Sequence, residues 1–200
     1  EGDLLTDVEF DRVKVEFLRL TSSPFLASQW LRGENGVAQI LLERETGERI
    51  SLEVFRNKDI AGGTSAYEVV NQIVPDTERS TRGDVTLLIN GLPIIHIELK
   101  KESAKDGYMQ AYHQIQRYAQ DGFFNGIYAS TQLFVVSNKV KTRYFARPSE
   151  DTDAAYQRMA KFLFNWRTEE NVPVPDLFDF ARIVLRIPDA HELISQYTIL

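Results

Sequence analysis

Cysteine is missing from all 200 residues, which excludes disulfide bonds and cysteine-ligated zinc sites. The three histidines are scattered along the chain without the spacing of metal ligands. No Gly-Lys pair occurs, so a Walker A loop is absent, and neither His-Glu-x-x-His nor Gly-x-Ser-x-Gly is found. The 200 residues are therefore predicted to contain neither a nucleotide-driven motor nor a zinc hydrolase.

Long apolar runs and a signal peptide are also missing, so a cytoplasmic location is expected by default. The net charge of −6 argues against strong stand-alone affinity for DNA, which depends on neutralising phosphates. The charge is uneven, however, because residues 99–147 carry eight Lys and Arg against three acids. A basic segment of this kind fits a phosphodiester substrate, although a solvated surface would explain it equally well.

The most informative stretch runs from Arg82 to Lys101 and has the composition of two strands around a tight turn. Charge occurs only near the open ends, as Asp84 on the first strand and as Glu98 and Lys100 on the second. Two carboxylates are hard oxygen ligands of the kind that bind Mg²⁺. The simpler alternative is a structural hairpin whose charged ends are solvated.

The turn decides whether the two carboxylates can share a cation. The two-residue period of a strand places Ile95, Ile97 and Leu99 on one face, and Ile94, His96, Glu98 and Lys100 on the other. A regular two-residue turn would put Asp84 and Glu98 on opposite sides of the sheet. A three-residue loop or a β-bulge would place them across from each other, with Cβ atoms about 5 Å apart. We predict one of these two irregularities.

Other segments have weaker patterns. Helices are predicted over 7–20 (with a strand within 13–17 as the alternative), 103–120, 154–166, 177–185 and 190–197, and strands over 38–43, 49–55, 67–74, 126–130, 133–137 and 142–146. The helix over 103–120 is predicted to start at a capping box of Ser103 and Asp106. On that helix Gln110, Gln114 and Tyr118 form one stripe, which is a polar flank, a DNA contact or a support for Lys100.

The chain resembles the N-terminal nuclease domain of the R subunit of type I restriction enzymes, which belongs to the PD-(D/E)xK superfamily. The resemblance is found at Asp84, Glu98-Leu99-Lys100 and Gln114-x-x-x-Tyr118. The resemblance is carried by YEVVNQIV, DVTLLINGLPIIHIELKK, AYHQIQRYAQ and LFVVSN. It implies an α/β (α+β) fold with a mixed central sheet flanked by helices. It also implies an endonuclease domain over 1–150, and a helical segment over 151–200 that leads to a motor domain absent from this chain.

The resemblance assigns roles to the site residues. Asp84 and Glu98 would hold Mg²⁺, or Mn²⁺ in its place, with the Leu99 carbonyl as a third ligand. Lys100 would position or help deprotonate the attacking water and would stabilise charge on the phosphate. The pair of Gln114 and Tyr118 would form an element linked to nuclease function and DNA contact.

Two positions depart from the superfamily's pattern. Gly83 stands where the superfamily's name has proline. The superfamily often also uses a glutamate from an early helix, for which Glu9 and Glu16 are candidates that we leave outside the site.

The implied function is metal-dependent hydrolysis of double-stranded DNA by a type I site-specific deoxyribonuclease. ATP would serve only the absent motor, and the methyltransferase and specificity subunits of a restriction complex would be the partners. The residues leave two alternatives open. One is a free-standing nuclease of the same superfamily, and the other is a catalytically silent nuclease fold used for assembly or DNA contact.

Overall fold

The computed structural model describes residues 4–58, 63–74 and 81–197. Its helices are α1 (Asp7–Leu20), α2 (Pro24–Arg32), α3 (Gly107–Gln120), α4 (Asp153–Met159), α5 (Leu177–Val184) and α6 (Asp189–Tyr197). Its strands are β1 (Val37–Glu43), β2 (Arg49–Arg56), β3 (Tyr67–Ile73), β4 (Gly83–Ile89), β5 (Leu92–Leu99), β6 (Leu133–Ser137) and β7 (Thr142–Ala146).

A five-stranded sheet in the order β3-β4-β5-β6-β7 forms the centre of the fold, and β1 pairs with β2 in a separate hairpin. Neighbouring strands in the larger sheet are antiparallel except β5 and β6, which run parallel. A parallel pair needs a crossover connection, and α3 supplies it. The predicted mixed sheet flanked by helices is confirmed.

Each face of the sheet has its own apolar core. Ile95, Ile97 and Val135 belong to the core that also contains side chains of α2, β1, β2, α5 and α6. Phe134, Val136 and Phe145 belong to a second core with α3 and the Phe123-Phe124 pair. Residues 174–194 thus contribute to the same core as the central sheet, while the linking role proposed for 151–200 stays a prediction.

The start of α3 differs from the prediction. The helix begins at Gly107, and Asp106 before it has left-handed backbone angles (φ 52°, ψ 38°) and makes no capping hydrogen bond through its side chain. The Asn138 amide donates to the carbonyls of Glu102 and Ala104 (both 3.4 Å), which holds the preceding residues in turns. The predicted Ser103–Asp106 capping box is wrong because this tertiary contact fixes the loop.

Two further segments were assigned wrongly from the sequence. Residues 126–130 form a 3₁₀ helix, and two of its carbonyls accept from the buried Arg147 guanidinium (3.0 and 3.3 Å). The helix predicted over 154–166 ends its α-helical part at Met159, because Phe164 instead exchanges backbone hydrogen bonds with Tyr144 (2.9 and 3.1 Å). In both places a partner distant in sequence overrides local propensity.

Within the described residues, none of the helices combines the length and apolar character needed to cross a bilayer. The charged composition of residues 75–83 predicts a loop, most of which lies outside the described residues.

A buried histidine joins the last helix to two strands. The His191 Nδ1 lies 2.9 Å from the Tyr67 hydroxyl, and its Nε2 lies 2.7 Å from the Arg56 carbonyl. Burial lowers the pKa of His191 below its ordinary value of 6.5, although the Arg56 carbonyl and Glu192 act in the opposite direction. The folded protein therefore favours the neutral imidazole.

We expect stability to decline as the pH falls below 6.5, because protonating His191 costs more in the folded than in the unfolded chain. His191→Gln should be less stable than wild type at neutral pH, and the gap in Tm should narrow as the pH falls. Thermal denaturation of both proteins between pH 8 and pH 5.5 measures this. A gap that stays constant over that range would contradict the assignment.

Candidate functional site

The hairpin of β4 and β5 contains the predicted irregularity. Asn90 and Gly91 form a two-residue turn, both with positive φ (52° and 78°), between the paired residues Ile89 and Leu92. The register then shifts between Leu87 and Leu88, so the hairpin has a β-bulge rather than a three-residue loop. The predicted alternative of a bulge is confirmed.

The bulge changes which side chains share a face of β5. The extra residue is Ile94, and it packs in the same core as Ile95 and Ile97. Its predicted placement beside His96 was wrong, because two adjacent residues of a bulge oppose one residue of the partner strand. Beyond the bulge, Val85 pairs with Ile97, and the next step of the ladder brings Asp84 across from Glu98.

Asp84 and Glu98 are held in place by different contacts. The backbone N–H of Leu99 donates to Asp84 Oδ2 at 2.7 Å, which fixes Asp84 against the end of β5. Glu98 is fully buried, and its Oε1 accepts from Lys100 Nζ at 3.1 Å. Glu98 Oε2 has no hydrogen-bond partner among the described residues. One carboxylate oxygen of the pair is thus buried and unsatisfied.

Lys100 is anchored by a network that reaches α3. Its ammonium group donates to Glu98 Oε1, to the Leu99 carbonyl (3.2 Å) and to Gln114 Oε1, which matches three acceptors to three N–H donors. Gln114 Nε2 donates in turn to the Tyr118 hydroxyl, and that hydroxyl donates to the Arg82 carbonyl at 2.8 Å. The structure therefore brings together all the predicted site residues.

The pKa of the Tyr118 hydroxyl is raised above its ordinary value. Burial raises the pKa of its hydroxyl, the hydrogen bond from Gln114 lowers it, and the charges of Glu98 and Asp84 raise it further. Its ring stacks on Phe123 with centroids 4.9 Å apart. Burial is the largest cause of the raised pKa of Tyr118, and the charges of the two carboxylates act in the same direction.

These groups fit a divalent cation. No cluster of three or more His, Asp or Glu residues that could hold a metal is found in the described ranges. Mg²⁺, however, is commonly bound by one or two carboxylates and keeps several waters. Asp84, Glu98 with its unsatisfied oxygen and the Leu99 carbonyl supply oxygen donors of that kind.

Two residues were not singled out from the sequence: His96, which lies next to Glu98 in the folded chain, and Thr86, which contacts His96. His96 is fully buried on the same face as Glu98, with its Nε2 3.5 Å from Glu98 Oε2 and its Nδ1 3.0 Å from the Thr86 hydroxyl. The two-residue period had placed His96 beside Glu98. Its importance was not recognised, because a lone histidine in an apolar strand usually belongs to the core.

The early glutamates have other contacts. Glu9 accepts hydrogen bonds from the Arg44 side chain and from the backbone N–H groups of Thr6 and Glu45. These bonds, that of Arg44 most strongly, lower the pKa of Glu9 to about 2. Glu16 is paired with Arg19 at 2.6 Å on the same helix. The contacts of Glu9 join α1 to the β1–β2 turn, which is a structural role.

Not all of the basic residues within 99–147 are exposed and outside ion pairs in the fold. Arg147 is buried in an ion pair with Asp151, and Lys139 is paired with Glu102 at 2.8 Å. Lys101, Lys105 and Lys141 are exposed. The loop before α3 and the β6–β7 turn contact each other through Asn138, so these lysines belong to one region next to Lys100.

Comparison with known protein families matches most of the chain to one of them. Residues 5–153 match the family model described as "Type I restriction enzyme R protein N terminus". The chain belongs to this family.

The relatives named as endonuclease subunits of type I restriction enzymes come from diverse organisms. One from Staphylococcus aureus (strain COL) is 29% identical over 200 residues, which is all of this chain and 20% of the relative. The EcoprrI subunit of Escherichia coli is 36% identical over 130 residues, which is 64% of this chain and 37% of the relative. A putative subunit from Methanocaldococcus jannaschii is 35% identical over 92 residues, covering 44% and 8% of the two chains. The chain thus spans about a fifth of the length of the staphylococcal relative.

The structure explains why this family member has glycine before Asp84. A Cβ atom on Gly83 would lie 2.6 Å from His96 Cε1 and 2.7 Å from Phe123 Cζ. Real Cβ atoms do not approach other atoms so closely, and both neighbours are fully buried. His96 and Phe123 therefore occupy the space that a proline or any other side chain at position 83 would need.

We expect Gly83→Ala to destabilise the protein by about 1–3 kcal/mol through overpacking. In a His96→Ala background the added methyl group should cost less, because the space of the imidazole becomes available to it and to the Phe123 ring. Chemical denaturation of the two single variants and the double variant measures this coupling. Additive losses would show that the two positions are independent.

Proposed function

We propose that this chain is the nuclease part of a type I restriction endonuclease subunit and that it hydrolyses phosphodiester bonds of double-stranded DNA. The observation that carries the proposal is the convergence of Asp84, Glu98 and Lys100 at the ends of β4 and β5, with Lys100 tied to α3 through Gln114. Membership in the family supports the same conclusion.

Asp84, Glu98 and the Leu99 carbonyl would hold Mg²⁺, or Mn²⁺ in its place. A divalent cation, when bound, polarises a phosphoryl oxygen and lowers the pKa of a coordinated water. The Glu98 carboxylate supports this role, because it is buried and its Oε2 accepts no hydrogen bond among the described residues, so lone pairs are left for a cation.

Lys100 would contribute a compact positive charge. Its side chain is 22% exposed while Glu98 is buried, so the ammonium group lies between the carboxylate and solvent. From there it would orient the attacking water and stabilise the negative charge that develops on the phosphate. Gln114 and Tyr118 would fix its position rather than react, since their hydrogen bonds connect Lys100 to the Arg82 carbonyl at the start of β4.

The exposed lysines beside the site would bind the DNA backbone. Lys139 is held in an ion pair with Glu102. Three exposed lysines in the same region next to Lys100 take no part in that pair: Lys101, Lys105 and Lys141. Phosphate contacts of this kind position DNA without reading its sequence. With a net charge of −6 the domain would depend on other parts of a restriction complex for tight binding. The absent motor, which would use ATP, and the methyltransferase and specificity subunits would supply it.

The first test replaces Glu98 with its neutral isostere. We expect Glu98→Gln to abolish DNA cleavage in the full restriction complex and to remove the rise in Tm that Mn²⁺ produces in the wild-type chain. Nuclease assays on a supercoiled plasmid and thermal denaturation with and without Mn²⁺ measure the two effects. The titration is repeated with a short DNA duplex, whose phosphate can complete the coordination of the cation.

Glu68→Gln is the matched control, because Glu68 is an exposed residue of β3 with the same charge and size. It should cleave DNA and respond to Mn²⁺ as wild type does. Cleavage by Glu98→Gln at the wild-type rate would contradict the catalytic assignment. A wild-type complex that binds DNA but never cleaves it would favour the silent nuclease fold instead.

A second test compares two glutamines one turn apart on α3. Gln114→Ala removes one of the three acceptors of Lys100, the one on α3, and we expect a loss of cleavage rate of about 10–100-fold, typical of residues that orient a site. Gln110 donates only to the Lys105 carbonyl (2.8 Å) in the described structure, so Gln110→Ala should stay close to wild type. Single-turnover cleavage rates at saturating Mg²⁺ measure both. Equal rates for the two variants would mean that Lys100 does not depend on α3.

A further inference from the structure

His96 and Glu98 each have a buried polar atom that makes no hydrogen bond among the described residues. Both residues are fully buried, and among the described residues neither His96 Nε2 nor Glu98 Oε2 has a hydrogen-bond partner. The two atoms nevertheless lie only 3.5 Å apart. Buried polar atoms without a hydrogen-bond partner are costly, so the proximity of these two calls for an explanation.

The other ring nitrogen indicates which way the imidazole is protonated. His96 Nδ1 lies 3.0 Å from the Thr86 hydroxyl, which can donate a proton to it. The neighbour of Nε2 is a carboxylate oxygen, which can only accept when it is ionised. The consistent arrangement is a Thr86 O–H that donates to Nδ1, with the ring proton on Nε2, the nitrogen that lies 3.5 Å from Glu98 Oε2.

The packing leaves the imidazole little freedom. Phe123 and Phe124 each place a ring centroid 5.5 Å from that of His96, and Phe134 lies 6.5 Å away. On the remaining side the backbone of Gly83 approaches so closely that even a methyl group would collide with Cε1. The ring is therefore closely packed, with its Nε2 3.5 Å from Glu98 Oε2.

We propose that His96 is a positioning residue that orients the Glu98 carboxylate for its cation, with Thr86 fixing its tautomer and Gly83 giving it room. The inference rests on the cation site of the proposed function. A carboxylate has about four lone-pair sites on its two oxygens, so donors from His96 and Lys100 leave sites open for a cation. Partners of this kind around a ligand typically change metal affinity by about 10–100-fold when they are removed.

The tautomer can be measured without any metal. Long-range ¹H–¹⁵N NMR correlations of the metal-free chain distinguish Nε2–H from Nδ1–H, and loss of the signal in His96→Gln assigns it among the three histidines. We expect the Nε2–H form for wild type and a mixture of forms for Thr86→Val, which removes the hydroxyl at nearly constant volume. An Nδ1–H imidazole in the wild-type chain would overturn the proposal.

Mn²⁺ affinity then separates positioning from packing. His96→Leu keeps most of the volume but removes the donor, and we expect its dissociation constant for Mn²⁺ to rise at least about 10-fold. His96→Gln retains an N–H donor and should recover most of that loss, whereas a packing role alone would leave both variants with the wild-type constant. His113→Gln, which changes an exposed histidine of α3, is the control and should bind as wild type.

Two other results would decide against the proposal. Pulsed EPR that detects a directly coordinated histidine nitrogen on Mn²⁺ would make His96 a ligand rather than a positioning residue. Equal Mn²⁺ affinity for wild type and His96→Leu would show that Glu98 needs no orientation. If the wild-type chain binds no Mn²⁺ even with duplex DNA, the proposed cation site itself fails, and the positioning role of His96 fails with it.

Discussion

The single extra residue in β5 is the constraint on which the rest of the site depends. Because side chains alternate along a strand, a bulge at Ile94 reverses the parity of every pairing beyond it. Without that bulge, Asp84 would face the core that contains Ile97. With it, Asp84 and Glu98 share a face and a strand end, where the Leu99 N–H and Lys100 can reach them.

The helix that connects β5 to β6, α3, contributes the remaining side chains of the site. Its crossover is required by the parallel pairing of the two strands, and it brings Gln114 and Tyr118 over the ends of β4 and β5. The resulting chain of hydrogen bonds runs from Lys100 through α3 to the Arg82 carbonyl. A change in the position of α3 would therefore move Lys100 relative to the carboxylates, which links the packing of the second core to the chemistry of the site.

Several features of the fold followed from local patterns alone. The strand-like composition of residues 82–101 and the Asn90-Gly91 pair located the hairpin, and the charges at its ends located the candidate site. Failures occurred where a distant partner decides the local backbone. Asn138 fixes where α3 begins, and Arg147 donates to the carbonyls of Tyr128 and Ala129 within residues 126–130. Neither contact leaves a signal in the sequence around the segment it controls.

The sequence by itself determined the residue types of the site and their order, because strand alternation and helical spacing are properties of short stretches. It also reduced the hairpin to two possible irregularities, since only those let two carboxylates share a cation. Only the tertiary structure decided between the loop and the bulge. It also showed that His96 lies next to Glu98 and that Thr86 and Gly83 contact His96. The physical reason is that burial and close packing depend on which strands and helices meet, and residues from β4, β5 and the Phe123-Phe124 turn meet only in the folded chain.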